Sequence, residues 1–139
     1  MQWELIKSSE EVKELIDNTL GDFNKTQVNY NSKMDYLPLN FHIQDKVGTI
    51  VAGINAFSCW QMLYVSELYV GDAYRREGLG SLLLTKVEQE AKSAGSIISQ
   101  TDTFDWQAKG FYLKLGYEVF GVIENCPEGH KRYYLKKEL

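Results

Sequence analysis

At 139 residues the chain has room for one core of ordinary size and none for a second, so residues 1–139 are expected to form a single domain. Hydrophobic residues make up 44% and charged residues 24%, a globular balance that excludes disorder and fibrous repeats. A net charge of −4 argues against general nucleic-acid binding, which demands a surplus of Lys and Arg, and no apolar run is long enough to span a membrane. The opening residues lack a basic segment leading into a hydrophobic one, so a cytoplasmic location is expected. Cys59 and Cys126 form no C-x-x-C pair and have only His42 and His130 beside them, which predicts free thiols and no metal site.

In chain order, Trp3–Lys7 reads as a short strand, and Ser8 followed by Glu11 as a capping box opening a helix. Val12, Leu15, Ile16 and Leu20 recur at helical spacing up to Gly21, a plausible stop. Asp22–Tyr36 turns polar, with interspersed aromatic residues, and reads as an irregular or partly helical flap. Leu39–Gln44 and Thr49–Phe57 read as strands joined by an Asp45–Gly48 hairpin turn, with Gly53 as a candidate bulge; Trp60–Val70 reads as a third. Beyond Gly78-Leu79-Gly80 runs an amphipathic helix whose apolar line is Leu79, Leu83, Val87 and Ala91, joined by Leu82 and Ala94, and stopped by Gly95. Strand Ser96–Thr103, helix Trp106–Leu115 stopped by Gly116, strand Tyr117–Ile123 and a returning strand Lys131–Lys137 complete the chain. The order β-α-flap-β-β-β-α-β-α-β-β is that of an α/β domain whose mixed sheet is flanked by helices.

The segment after Val70 has the makings of an anion cradle. A helix start leaves N–H groups unpaired at the positive end of its dipole, glycine permits close approach, and Arg75 and Arg76 add charge suited to phosphate. A P-loop is excluded because Ser81 and Leu82 follow Gly80, with no lysine until Lys86. The dinucleotide pattern fails because Leu83 stands where its third glycine belongs. What remains is R-x-x-G-x-G on Arg75, Gly78 and Gly80, which resembles the pyrophosphate-binding loop of the GNAT superfamily of acetyltransferases. Independently, Asp105-Trp106-Gln107-Ala108-Lys109-Gly110-Phe111-Tyr112-Leu113-Lys114-Leu115-Gly116-Tyr117 resembles that family's N-x-x-A-x-x-F-Y-x-K-x-G-[FY] helix, Asp105 replacing the common Asn while still able to cap the helix. The resemblance runs from about Leu63 to the C-terminus.

The resemblance implies a groove where two parallel strands splay apart, one ending at Val70 and the other beginning at Ser96, with acetyl-CoA as co-substrate. Backbone groups of Leu68, Tyr69 and Val70 would meet the pantetheine and thioester, and the N–H groups of Arg76, Glu77, Gly78, Leu79, Gly80 and Ser81 the pyrophosphate. Asp105, Ala108, Phe111 and Lys114 would complete the cofactor contacts, and Tyr112 would be the general acid near the sulfur, against the alternative of a tyrosine packed at a helix–sheet contact. For the base, Glu67 is the first candidate on the strand leading to the thioester, with Asp102, Asp105 or a water relay behind it; strand alternation sends Ser66 and Glu67 to opposite faces without saying which meets the acceptor. Trp60, Trp106 and the flap are candidates to line a pocket for a cationic amine, and His130 reads as a surface residue. The implied activity is direct acetyl transfer in a ternary complex to a primary amine of a small molecule or antibiotic. A peptide or protein amine, or a catalytically silent acyl-CoA-binding module, stands as the alternative, with oligomeric state open between monomer and homodimer.

Overall fold

The computed structural model describes residues 2–139, which divide into two compact units at Asn31 and Ser32. In the first, helix α1 (Glu10–Thr26) begins at Ser9, whose side chain accepts from Val12 N at 3.3 Å, so the cap lies one residue beyond the expected Ser8. The expected strand at Trp3–Lys7 is absent, because among the described residues that segment has no strand to pair with. Gly21 does not stop α1: a single interior glycine costs about 1 kcal/mol, and Phe23 continues at helical spacing the apolar stripe set by Ile16 and Leu20, so the helix absorbs the start of the expected flap.

The second unit carries a seven-stranded sheet of β1 (Leu37–Pro38), β2 (Phe41–Gln44), β3 (Ile50–Cys59), β4 (Met62–Val70), β5 (Ile98–Phe104), β6 (Glu118–Glu124) and β7 (Lys131–Glu138). Their order is β1-β3-β4-β5-β7-β6, with β2 also on β3. Asp45 closes the β2–β3 turn by accepting from Val47 N at 3.0 Å and Thr49 N at 2.9 Å. Trp60 and Gln61 turn the β3–β4 hairpin with φ of 53° and 64°, so Trp60 belongs to a left-handed two-residue turn and not to the strand. All pairings along the sheet are antiparallel except β4–β5, which needs a crossover.

That crossover is α2 (Leu79–Ser93). Leu83, Leu84, Val87 and Ala91 bury themselves against Ala52, Ile54, Ala56, Leu63 and Val65. Leu84, not Leu82, completes the buried line: at 100° per residue Leu84 falls beside Val87 and Ala91, whereas Leu82 falls on the far side and is 61% exposed. The second crossover helix, α3, spans only Lys109–Lys114, because Gln107 holds a turn ahead of it by accepting from Phe104 N at 2.7 Å and Thr103 Oγ1 at 3.0 Å. Gly53 pairs regularly with His42 and Tyr69; the sheet's irregularities fall elsewhere.

Gly95, just past α2, has φ of 110°, and a Cβ there would lie 2.5 Å from Lys33 Cβ. Gly95→Ala should therefore cost about 1 to 3 kcal/mol through left-handed strain and overpacking, read as a lower urea midpoint with unchanged slope.

Candidate active site

The site begins where β4 and β5 separate. Their parallel ladder runs from Met62↔Ile98 to Val65↔Thr101 and stops, and the Thr101 hydroxyl donates to the Val65 carbonyl at 2.9 Å at the crotch. On the other edge of β4 the register with β3 slips between Asn55↔Glu67 and Ala56↔Val65, leaving Ser66 as an extra residue. Such a bulge bends its strand, and the Ser66 hydroxyl pins it by donating to the Asn55 carbonyl at 2.9 Å. Beyond it, β4 follows β3 while β5 goes its own way.

The register also says which backbone groups are released. Gly71 N donates to Val51 O at 2.8 Å, so by antiparallel alternation Tyr69 and Glu67 turn their backbone groups toward β3, while Leu68 and Val70 turn theirs toward the vacated edge. Of the three residues expected to offer backbone contacts, the alternation selects Leu68 and Val70; Val70 O already accepts from Arg75 Nε at 3.3 Å.

The fork opens into a groove of about 910 Å³, a volume suited to a cofactor. At one end lies the start of α2. Arg76 and Gly78 are left-handed, with φ of 69° and 78°, and Gly78 caps the helix without a side-chain hydrogen bond. The first bond of the helix runs from Leu82 N to Gly78 O at 3.0 Å, so the N–H groups of Leu79, Gly80 and Ser81 precede the helical repeat. Arg75, Arg76, Gly78, Leu79, Gly80 and Ser81 all line the groove; Glu77 does not. The Asp72–Arg75 pair, at 2.9 Å, is exposed and leaves Arg75 available at little cost.

Gly80, which lines the groove, also meets a packing need. A Cβ there would meet the Phe111 ring at 3.2 Å and Val70 Cγ2 at 3.7 Å, so its smallness lets the first turn of α2 close against α3 and β4.

At the other end, Tyr112 on α3 is 6% exposed and lines the groove with Thr101, Ala108 and Phe111. Burial pushes its phenol above the ordinary value; the Thr101 hydroxyl opposes this and the Asp102 charge adds to it. Its ring meets that of Tyr117 edge-on at 5.4 Å, and the Tyr117 hydroxyl shares bonds with Ser99 Oγ at 2.7 Å and Glu88 Oε2 at 2.8 Å. Lys137 Nζ bonds both Glu88 oxygens, at 3.1 and 3.2 Å, tying α2 to β7 through the tyrosine that backs Tyr112.

Of the four residues expected to complete the cofactor contacts, Asp105 and Lys114 lie outside the groove lining. Lys114 is exposed on α3. Asp105 does not cap α3, whose N-cap is Ala108; its carboxylate pairs with His130 Nδ1 and accepts from Lys131 N, each at 2.9 Å, and those bonds lower its pKa. Asp105 is thus a fastener between two loops, and His130 is its partner.

Of the base candidates, Glu67 and Asp102 line the groove. Asp102 is committed: Oδ1 accepts from Arg132 Nε at 3.0 Å and Nη2 at 2.5 Å, and Oδ2 from the Tyr64 hydroxyl at 3.0 Å. Glu67 accepts on Oε2 from Asn55 Nδ2 at 3.0 Å and Ser66 at 3.3 Å; among the described residues Oε1 has no bond. Trp106 lines the groove, stacked on Phe104 at 4.5 Å, whereas Trp60 turns the hairpin at the opposite end of β4. Sequence reasoning named Ser66 and Asp102 but missed the bulge at the first, the Tyr64 and Arg132 bonds that hold the second, and Thr101. Gln107, standing three residues after Phe104, was the one signal that α3 starts late.

A family model described as the Acetyltransferase (GNAT) family matches residues 9–117. A blasticidin-S acetyltransferase of Streptomyces morookaense is 39% identical over 93 residues, 66% of this chain and 68% of that protein. Among solved structures, an acetyltransferase from Bacillus cereus superposes with a TM-score of 0.89 at 28% identity, covering 99% of this chain and 98% of that one. A Bacillus anthracis acetyltransferase in complex with acetyl coenzyme A shares the fold at a TM-score of 0.65 and 18% identity, covering 83% and 67%. No helix among the described residues is long and apolar enough to cross a membrane.

Tyr117, like Tyr112, has its phenol pushed above the ordinary value, by burial first and the Glu88 charge after it, with the Ser99 bond opposing. The native state keeps these protons to higher pH than the unfolded chain, so their stabilisation is complete below the ordinary tyrosine pKa of about 10 and is lost as pH rises beyond it. The thermal midpoint should fall above about pH 10, with a shallower fall in Tyr117→Phe.

Proposed function

The chain belongs to the acetyltransferase (GNAT) family and is an acyltransferase; from that premise we propose that it transfers an acetyl group from acetyl-CoA directly to a primary amine of a small molecule, antibiotics included. The observation that carries this reading is that one groove joins the start of α2, the released edge of β4 and the buried Tyr112. The likeness to a blasticidin-S acetyltransferase supports a small-molecule acceptor.

Acetyl-CoA supplies an activated acyl thioester. For its diphosphate, the first-turn N–H groups of α2 with Arg75 and Arg76 offer hydrogen bonds and positive charge, in keeping with the positive end of a helix dipole. Leu68 and Val70 present backbone groups along the vacated edge, the place for pantetheine amides and for a donor to the acyl oxygen; one such donor contributes about 3 kcal/mol to a transition state. Tyr112, like any tyrosine, carries its proton at neutral pH, and burial only pushes the phenol further up, so a proton is available for a departing thiolate. The incoming amine arrives largely as ammonium and must lose a proton, for which the unbonded Oε1 of Glu67 is an acceptor on the groove wall. Starting from the ammonium, the nitrogen loses two protons: one leaves through Glu67 to solvent before attack, and the second, lost as the amide forms, makes good the one Tyr112 gives to the thiolate, so each turnover releases one proton.

Purified protein mixed with acetyl-CoA and a panel of polyamines, aminoglycosides, amino acids and peptides should release free thiol with small-molecule amines. Release with peptides alone, or none despite tight acetyl-CoA binding, would refute the reading. Tyr112→Phe should lower kcat by about 10²-fold or more while leaving cofactor affinity unchanged, as calorimetry would record.

A further inference from the structure

The bulge at Ser66 decides what the acceptor end of the groove can recognise. Without the extra residue, Glu67 would face away from Tyr64. With it, Glu67 stands opposite Asn55 and bonds it, on the face where Phe57 and Tyr64 meet at 5.6 Å. The buried face of α2 packs on the other side of the sheet. Across the fork, on the same face, lies Asp102, held by the Tyr64 hydroxyl.

The two carboxylates are electrostatically unequal. Asp102 is neutralised by Arg132 at 2.5 Å, whereas among the described residues no ion pair engages Glu67. The fork therefore carries an uncompensated negative charge on the wall of a groove that Arg75 and Arg76 also line. From Tyr64 a row of rings leads outward, to Phe57 at 5.6 Å and then to Tyr36 at 5.3 Å, the last 63% exposed. A cation at the fork with an apolar stem along these rings satisfies both features, since aromatic faces favour flat apolar groups as well as cations.

We propose that the acceptor is a primary arylalkylamine, its ammonium received by Glu67 at the fork and its aryl stem lying on the Tyr64–Phe57–Tyr36 row. The inference rests on the acetyl-transfer reading, but binding of the amine does not require turnover. Calorimetry of the full chain with 2-phenylethylamine, n-butylamine and 2-phenylethanol, without acetyl-CoA, tests it. The first should bind at least about 10-fold more tightly than the alcohol, for the charge-assisted bond, and about 3- to 10-fold more tightly than n-butylamine, for the ring contacts. Glu67→Gln should abolish the preference over the alcohol. Tyr36→Leu, a change at an exposed position, should abolish the preference over n-butylamine, with an unchanged circular dichroism spectrum for both variants. Equal binding of the three compounds, or preferences that survive both substitutions, overturns the proposal. Thiol release followed in parallel separates the two readings. The preferences without any release would retain the amine site and remove the transferase reading, while release with other amines and no preferences would do the reverse.

Discussion

Everything at the site depends on β4 being unable to remain paired on both edges. One extra residue at Ser66 sets its upper half at an angle that follows β3, and the parallel ladder to β5 ends at Val65 and Thr101. An unpaired strand edge inside a protein would ordinarily be a liability, since each unsatisfied backbone group costs free energy comparable to a lost hydrogen bond. Here the chain meets part of that cost itself: Thr101 caps the last carbonyl before the fork and Arg75 the carbonyl of Val70. The groups left over are those a ligand with amide and carbonyl groups of its own can satisfy.

The helices are arranged around that opening. Because the connection between the parallel strands must cross the sheet, α2 starts where β4 ends, and its unpaired first turn comes to the mouth of the fork as a consequence of topology. Its approach to the sheet is limited by Phe111, whose ring would have to give by a few tenths of an ångström to accept a Cβ at position 80. The same helix α3 that supplies Phe111 supplies Tyr112 from the next position, so one short element packs against the start of α2 and also lines the groove with its phenol.

The order of elements from β2 onward was legible in the sequence because hydrophobic periodicity and glycine stops are local signals, and the glycine loop because a helix start preceded by two arginines is a local constellation. What escaped has a physical reason in each case. Trp3–Lys7 has strand-like composition, but a strand exists only with a partner. The turn at Trp60–Gln61 uses left-handed residues without the Gly or Asn that usually marks one. The Ser66 bulge is a disagreement between the register of two strands, and neither strand records it alone. Gly80 was legible as part of the glycine loop but not for its packing need, since the ring beside it lies 31 residues later.

Glu88 sits nine residues into α2, roughly 14 Å along a rigid rod from the helix start, and is clamped by Lys137 while holding the hydroxyl of Tyr117. On the proposed function the helix is a lever with a load at each end: it would grip a diphosphate at its tip and, through the Tyr117 ring, seat the Tyr112 phenol beside the thioester. A coenzyme lacking its nucleotide half would then forfeit more than contacts, because it would no longer brace the rod against which Tyr112 is propped.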